Sequence, residues 1–423
     1  MEKTKKTLLY DWHVAQGANM ANFGGYEMPL WYPSGAKKEH LAVLTDAGMF
    51  DTSHMAMVKI TGPDAYELLQ LCFTKDMNAC VGIKKNPLEP GKCVYGAFLH
   101  DSGEVIDDAI VYQVADQDYV TVVNAGMGGN IAANLTAHKG DRNADITDLS
   151  DKVGKMDVQG PMAGKIMMKL LAEPEKVFEK MPYFSFKGHF DNTSPLADAV
   201  RLTDGTPILL SRTGYTGEFG FEIFIAPEHF VSLWTAVLDA GKDFGLVYCG
   251  LAARDSLRGG AVLPLSHQDV GHWLFINNPW PFTLPYNDDQ TDFTKTFIGS
   301  EALRDAADPE FTYAFVGNDL RKVSTEDTAT VLDGDGKDIG VVLTCVTDMG
   351  IGRHADRIYS ISSPDKPENF KARGLCCGFV KVRTKLNFGE TIEIKDNRRK
   401  IKVRIVEDVR PDRTARRPVK QMI

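Results

Sequence analysis

Cysteine is scarce in this chain. Its 423 residues hold seven, Cys72, Cys80, Cys93, Cys249, Cys345, Cys376 and Cys377. The number is odd and no two stand at the C-x-x-C spacing of a zinc or redox site. Such thiols read as reduced core filling in a cytosolic protein. Long apolar runs are missing too, since nothing reaches the ~18 residues needed to cross a membrane. The start, Met1-Glu-Lys-Thr-Lys-Lys6, lacks the apolar centre of a secretory signal. The expectation is a cytoplasmic protein with no membrane contact. Positive charge is in the minority, 48 Lys+Arg against 57 Asp+Glu for a net −9. Nucleic-acid binding needs a basic footprint, so no nucleic-acid partner is expected. One small anion in a local basic pocket remains compatible with that balance. G-x-S-x-G, H-E-x-x-H and the phosphate-binding G-x-x-x-x-G-K-[ST] are absent, and no metal is expected. Asp333-Gly-Asp-Gly336-Lys337 has the outline of a calcium loop, but its twelfth position is Thr344 rather than Glu. A hairpin turn is the better reading.

What is present is ordinary for a globular chain, with 43% hydrophobic and 25% charged residues. The length suits two to four domains with a substantial core. Val58 to Leu69 runs an alternating strand through Gly62-Pro63 into a helix, and Met156 to Met167 does the same through Gly160-Pro161. This is either a common junction used twice or an internal duplication. Strands are expected at 109–114, 119–124, 208–211 and 220–225, with a helix at Phe230–Ala240. They do not alternate regularly, which makes the class α+β. From about Pro309, short strands at 328–332, 339–345, 378–382, 391–395 and 401–406 suggest a separate C-terminal sandwich or barrel. Residues 285–310 are the expected linker. Gly126-Met-Gly-Gly-Asn130 opens a helix whose N–H groups suit an anion. The basic run Arg398–Lys420 reads as a solvated tail and strand face, with contact to a polyanionic ligand as the sharper alternative.

Four collinear segments carry more. They are Leu9–Pro29 leading to Ala47–Met55, Gly103-Glu-Val-Ile-Asp107-Asp108, Ser211-Arg-Thr-Gly214-Tyr215-Thr-Gly217-Glu-Phe-Gly220-Phe-Glu222, and Gly250-Leu-Ala-Ala-Arg254-Asp255-Ser-Leu-Arg258. Together they resemble the T-protein (aminomethyltransferase) family of the glycine cleavage system. The resemblance implies an α+β cloverleaf of three subdomains around a tetrahydrofolate channel, with a C-terminal β-barrel. It divides the chain into a folate-binding region, residues 1–300, built of two interleaved α+β subdomains, and a barrel at 310–423.

The same resemblance assigns Asp108 as the catalytic acid beside the folate nitrogens, and Glu222 as the carboxylate that receives the pterin ring N–H and amino group. Tyr95, Asn124 and Tyr215 match ligand-lining positions, and Arg254 matches an arginine at the rim, with Asp255 as its mate. If Asp107 and Asp108 begin a strand they point to opposite faces, so only one meets the channel. Gly214, Gly217 and Gly220 suit a tight turn and close ligand approach. After Arg258 the chain departs from the family pattern. Residues 259–287 bring in His267, His272, Trp273, Phe275, Trp280, Phe282 and Tyr286. His267, Trp273, Trp280 and Tyr286 are the candidate substrate pocket, with the expectation of an aromatic cage for a methylated cation. The leading expectation is a tetrahydrofolate-dependent aminomethyltransferase served by a lipoyl carrier protein. The alternatives are a demethylase acting on a small N-, O- or S-methyl donor, and a non-catalytic folate-binding protein.

Overall fold

A computed structural model describes residues 4–307, 309–326 and 328–423. Residues 1–3, 308 and 327, which touch the amino-terminal, linker and barrel readings above, lie outside the described residues. The chain opens with β1 (Lys5–Lys6), α1 (Tyr10–Ala15), β2 (Asn19–Phe23), β3 (Tyr26–Trp31) and α2 (Ala36–Thr45). Strands β4 (Ala47–Asp51) and β5 (Ala56–Thr61) lead to α3 (Ala65–Cys72), β6 (Lys92–Leu99), β7 (Val105–Ala115), β8 (Asp118–Val123), α4 (Gly128–Lys139) and β9 (Asp145–Asp148). Next come β10 (Gly154–Gln159), α5 (Ala163–Leu170), α6 (Pro174–Phe178), β11 (Phe186–Gly188), β12 (Leu209–Ser211), β13 (Gly220–Ile225), α7 (Phe230–Gly241), β14 (Leu246–Tyr248) and α8 (Leu251–Gly260).

Two sheets emerge with matching paths. One has the order β6-β7-β8-β5-β9 and the other β11-β12-β13-β10-β4-β14. In each, the strand before a Gly-Pro junction lies next to the last strand of a three-strand meander and pairs with it antiparallel. The two junction glycines share one conformation, φ +116 at Gly62 and +124 at Gly160. A Cβ on Gly62 would fall 2.5 Å from the Asn143 carbonyl, and one on Gly160 2.7 Å from that of Asp46, so only glycine fits. The repeated path favours the duplication reading over a chance junction.

After α9 (Ser300–Arg304), six strands close a barrel, β15 (Phe311–Gly317), β16 (Thr330–Leu332), β17 (Asp338–Asp348), β20 (Leu375–Val382), β21 (Thr391–Lys395) and β22 (Lys400–Val406). A hairpin of β18 (Ile351–His354) and β19 (Arg357–Ser360) is inserted before β20. Strand β15 is not among those expected from sequence. Its Thr-Tyr-Ala-Phe-Val run is apolar without clean alternation, which leaves helix and strand unresolved. The Asp333–Lys337 segment is the turn between β16 and β17, closed by Asp333 N–H to the Lys337 carbonyl at 3.0 Å. Residues 285–310 are not a loose linker. Phe297 and Leu303 are buried, and Lys295 donates to the carbonyls of Gln70 and Phe73 at 2.7 and 2.6 Å. Of the cysteines, all but the partly covered Cys80 are buried, and none is bonded to another.

The basic tail is not solvated throughout. Arg410 is completely buried, and Val419 and Met422 join the core of the second sheet. Each such apolar side chain adds roughly 1.5–3 kcal/mol on burial. The tail docks on the turn before β13, with Ala415 N–H to the Gly217 carbonyl and Arg212 to the Ala415 carbonyl. Among the described residues, no helix is long and apolar enough to cross a membrane.

Candidate active site

Strand β10 reads Gly-Lys-Met-Asp-Val-Gln, a strict alternation in which Met156 and Val158 belong to the apolar core. Lys155, Asp157 and Gln159 therefore share the other face, yet that face is also buried. A covered polar face must find internal partners. Asp157 lies directly opposite Glu222 of β13 in the ladder. Lys155 bridges them, donating to Glu222 Oε1 and, at 3.1 Å, to Asp157 Oδ1. Thr213 donates to Glu222 Oε2. Thr52 donates to Asp157 Oδ1 at 3.0 Å, and Arg254 of α8 reaches Asp157 Oδ2 at 2.9 Å. The result is a line of alternating charge, Glu222, Lys155, Asp157 and Arg254. Burial works against the Asp157 charge, and Lys155 and Arg254 more than offset it, holding this carboxyl below its ordinary range.

Arg254 also lies over the Tyr215 ring, 4.8 Å from its centre. The mate expected for it is wrong: Asp255 turns instead to Arg258, 2.8 Å from its Nε. The glycines of the preceding turn have another use as well. A Cβ on Gly214 or Gly220 would fall 2.4 Å from the Gln159 side chain, so these two make room for a protein side chain rather than for a ligand. Gln159 uses that room to donate to the carbonyls of Thr213 and Phe221.

The second cluster forms where β7 outruns its neighbour β8. A register shift between Phe98 and Leu99 of β6 places an extra residue just before Asp107. Past the end of β8, the Asn124 backbone N–H donates to Asp107 Oδ2 at 2.7 Å. The Asn124 amide then spans both acids, 2.8 Å from Asp107 Oδ1 and 2.6 Å from Asp108 Oδ1. Tyr95 donates to Asp108 Oδ2 at 2.7 Å. Asp107 is fully buried while Asp108, Tyr95, Asn124 and Tyr215 keep partial exposure. The simple alternation argument, in which only one acid reaches the site, is thus too strict, because Asn124 couples the two. Burial raises both carboxyls, and Asp107 raises Asp108 further. Burial and the Asp108 charge raise the Tyr95 phenol, which keeps its proton and remains a donor.

His267 sits on the loop after α8 with Nε2 3.6 Å from Asp107 Oδ1. The loop is anchored by Asp269, which accepts from Arg258, from Leu265 N–H at 2.9 Å and from Thr344 of the barrel at 2.7 Å.

The other expected pocket residues are not brought together. Trp280 is buried against Phe379 and donates to the Val262 carbonyl at 2.8 Å, so it is a core residue and not a cage wall. Phe275 is buried in the same core. Trp273 lies under Lys381, whose ammonium is 3.9 Å from its ring centre. Tyr286 packs on Phe293. Among the loop aromatics, Phe282 lies 6.2 Å from the Tyr95 ring. At the start of α4, a Cβ on Gly128 would fall 2.1 Å from Ser150 Oγ and 2.6 Å from Asp148 Oδ1, so this glycine is packed against the chain.

Sequence reasoning missed Lys155, Asp157 and Thr213. The signal for the first two was the charged alternation of β10 in a strand flanked by core, which reads as a half-exposed strand until its second face is known to be covered.

Residues 9–273 match the family model described as the GCVT N-terminal domain. The aminomethyltransferase of Bacillus pumilus (strain SAFR-032) is 34% identical over 341 residues, 80% of this chain and 86% of that protein. The aminomethyltransferase of Shouchella clausii (strain KSM-K16) is 33% identical over 353 residues, 83% of this chain and 88% of that protein. The crystal structure of glycine cleavage system aminomethyltransferase T from Bartonella henselae superposes with a TM-score of 0.72 at 24% identity, covering 95% of this chain and 97% of that one. That superposition speaks for the fold, mixed sheets and helices followed by a barrel.

Proposed function

Because this chain belongs to the T-protein (aminomethyltransferase) family, enzymes that transfer one-carbon groups, we propose that it transfers an aminomethyl group from a lipoyl carrier protein to tetrahydrofolate. In this reading residues 1–300 form the folate-binding unit and 310–423 the barrel that braces it. The observation that carries the proposal is the half-buried Asp108, held by Tyr95 and Asn124 beside the line of charges that ends at Glu222.

The residues present fit a reduced pterin. Each Glu222 oxygen has one protein partner, which leaves a lone pair on each for a pair of adjacent N–H donors. The rings of Tyr95 and Tyr215 offer flat apolar faces, and Arg254 presents a guanidinium for a carboxylate. Tetrahydrofolate supplies two nitrogens that together accept one carbon as a methylene bridge. Asp108 is the group that accepts and returns a proton at Oδ2 or Oδ1, and its raised range suits that work near neutral pH. Asn124 and Tyr95 keep its oxygens aimed, and Lys155 keeps Glu222 in place.

The test is product analysis with purified protein, tetrahydrofolate and an aminomethyl-loaded lipoyl carrier, run beside a panel of small methylated donors. Methylenetetrahydrofolate and ammonia are the expected products. Methyltetrahydrofolate from a methylated donor would overturn the aminomethyl reading in favour of demethylation. Asp108→Asn should lower turnover by about 10²–10⁴-fold with folate binding retained, as read by steady-state kinetics and calorimetry.

A further inference from the structure

Two carboxyl groups from consecutive residues hang on one amide nitrogen, and among the described residues no lysine or arginine makes an ion pair with either. Two like charges so placed cannot both be stable in a buried setting. Every cation nearby is committed elsewhere: Arg254 to Asp157, and Arg258 to Asp255 and Asp269. The groups facing the pair are Tyr95 from β6, Asn124 after β8, Tyr215 from the turn before β13, and Ser266 and His267 from the loop after α8, with His272 beside His267. Only His267 among them is basic, in contact with an acid and partly open, its side chain 42% exposed.

Its backbone strengthens the case. His267 has φ +64, a left-handed conformation uncommon outside glycine, which histidine enters more readily than most side chains. The Asp269 anchor holds the loop in that shape. Strain kept in this way at a residue touching a buried acid motivates a functional reading.

We propose that Asp107 and Asp108 share one proton in the ligand-free protein, and that His267 is the relay through which this proton exchanges with solvent. The inference rests on the aminomethyl-transfer reading only for its kinetic consequences. In the outward step the Asp107 Oδ1–H bond breaks, Nε2 of the neutral imidazole gains that proton, and Nδ1–H releases one to water; the inward step is the reverse. Burial lowers the His267 ring below its ordinary range, so the neutral imidazole that accepts at Nε2 is present. The 3.6 Å gap is longer than a hydrogen bond and closes through one water or a small turn of the ring. The pair then supplies the group that takes and returns protons during transfer, reset between turnovers through His267.

Two measurements test this. Infrared titration of the ligand-free protein should show a protonated carboxyl at pH 6 that is lost in Asp108→Asn, and its absence from the wild type would refute the shared proton. This arm uses no folate and no donor, so it stands or falls apart from the proposed activity. For the relay, His267→Gly is chosen because φ +64 suits glycine, so the variant keeps the backbone. It should lower turnover about 10²-fold, and added imidazole should restore a large part. Full turnover in His267→Gly, or a loss that imidazole leaves untouched, would show that the histidine does not relay protons.

Discussion

Asp107 and Asp108 show how far a fold can move the chemistry of ordinary side chains. Burial, and for Asp108 the neighbouring charge, hold both carboxyls well above the value of about 4 that a carboxylate has in an unfolded chain. The sign follows from linkage. Between roughly pH 4 and 7 the folded protein keeps protons that the unfolded chain releases, so the stability these acids contribute is complete below about pH 4 and is lost as pH rises towards 7. Other acids, such as Asp157, act in the opposite sense, so the pair is isolated by difference. The stability of the wild type relative to Asp108→Asn should fall by on the order of a few kcal/mol from pH 4.5 to 7.5 in urea unfolding. A difference that stays flat with pH would mean that the pair is not raised by the fold. Asp157 behaves differently because Lys155 and Arg254 stand beside it, and their charges outweigh its burial and hold its carboxyl below its ordinary range.

At the scale of single elements, much is legible because a short continuous apolar run marks the buried strand β13 and a helical spacing of apolar residues marks α7. The sequence expectation for β13 has its observed bounds, Gly220–Ile225, and that for α7 ends one residue short. The family resemblance points to Asp108, Tyr95 and Asn124, and hydrogen bonds join the three. What sequence left hidden depends on contacts across the chain. The polar face of β10 has meaning only once β13 and α8 cover it. Trp280 resembled a ligand wall because its partner Phe379 is ninety-nine residues away. The glycines of the turn looked like space for a ligand because Gln159, which fills that space, comes from another strand. The last point gives a direct test. Gly214→Ala should cost about 1–3 kcal/mol by overpacking against Gln159, and Gln159→Ala a similar amount through the carbonyls of Thr213 and Phe221 it leaves unpaired. Since the two side chains meet, the double variant should be more stable than the sum of the single losses by about 0.5–3 kcal/mol in a double-mutant cycle. Simple additivity would show that Gln159 is not what the glycine accommodates.

The molecule as a whole is closed by one guanidinium. Arg410 donates to Asp348 of the barrel at 2.6 Å, to the carbonyl of Thr216 in the turn before β13, and to the Leu257 carbonyl of α8, with Nε 3.2 Å from Glu218. Asp348 in turn meets His40 of α2 at 2.9 Å. Three separate parts of the chain therefore converge on Arg410, with α2 joined to them through Asp348, and two of them, the turn with Tyr215 and the helix with Arg254, carry site residues. This is why a barrel distant in sequence matters to the site. Arg410→Met should destabilise the protein by about 3–5 kcal/mol at pH 7, since it strands two buried carboxylates. The acid side distinguishes this from loss of packing. Burial opposes the Asp348 charge, yet Arg410 and His40 hold its carboxyl down to about 2. Its stabilisation is thus present above about pH 4 and lost as pH falls towards 2. Without the guanidinium the carboxyl takes up its proton earlier, so the gap between wild type and variant should narrow steadily below pH 4 in urea unfolding. A gap that keeps its neutral-pH size at pH 3 would assign the loss to packing alone. Because the same guanidinium holds the Thr216 carbonyl beside Tyr215, the variant should also bind tetrahydrofolate more weakly at pH 7, measured by calorimetry under conditions where it remains folded.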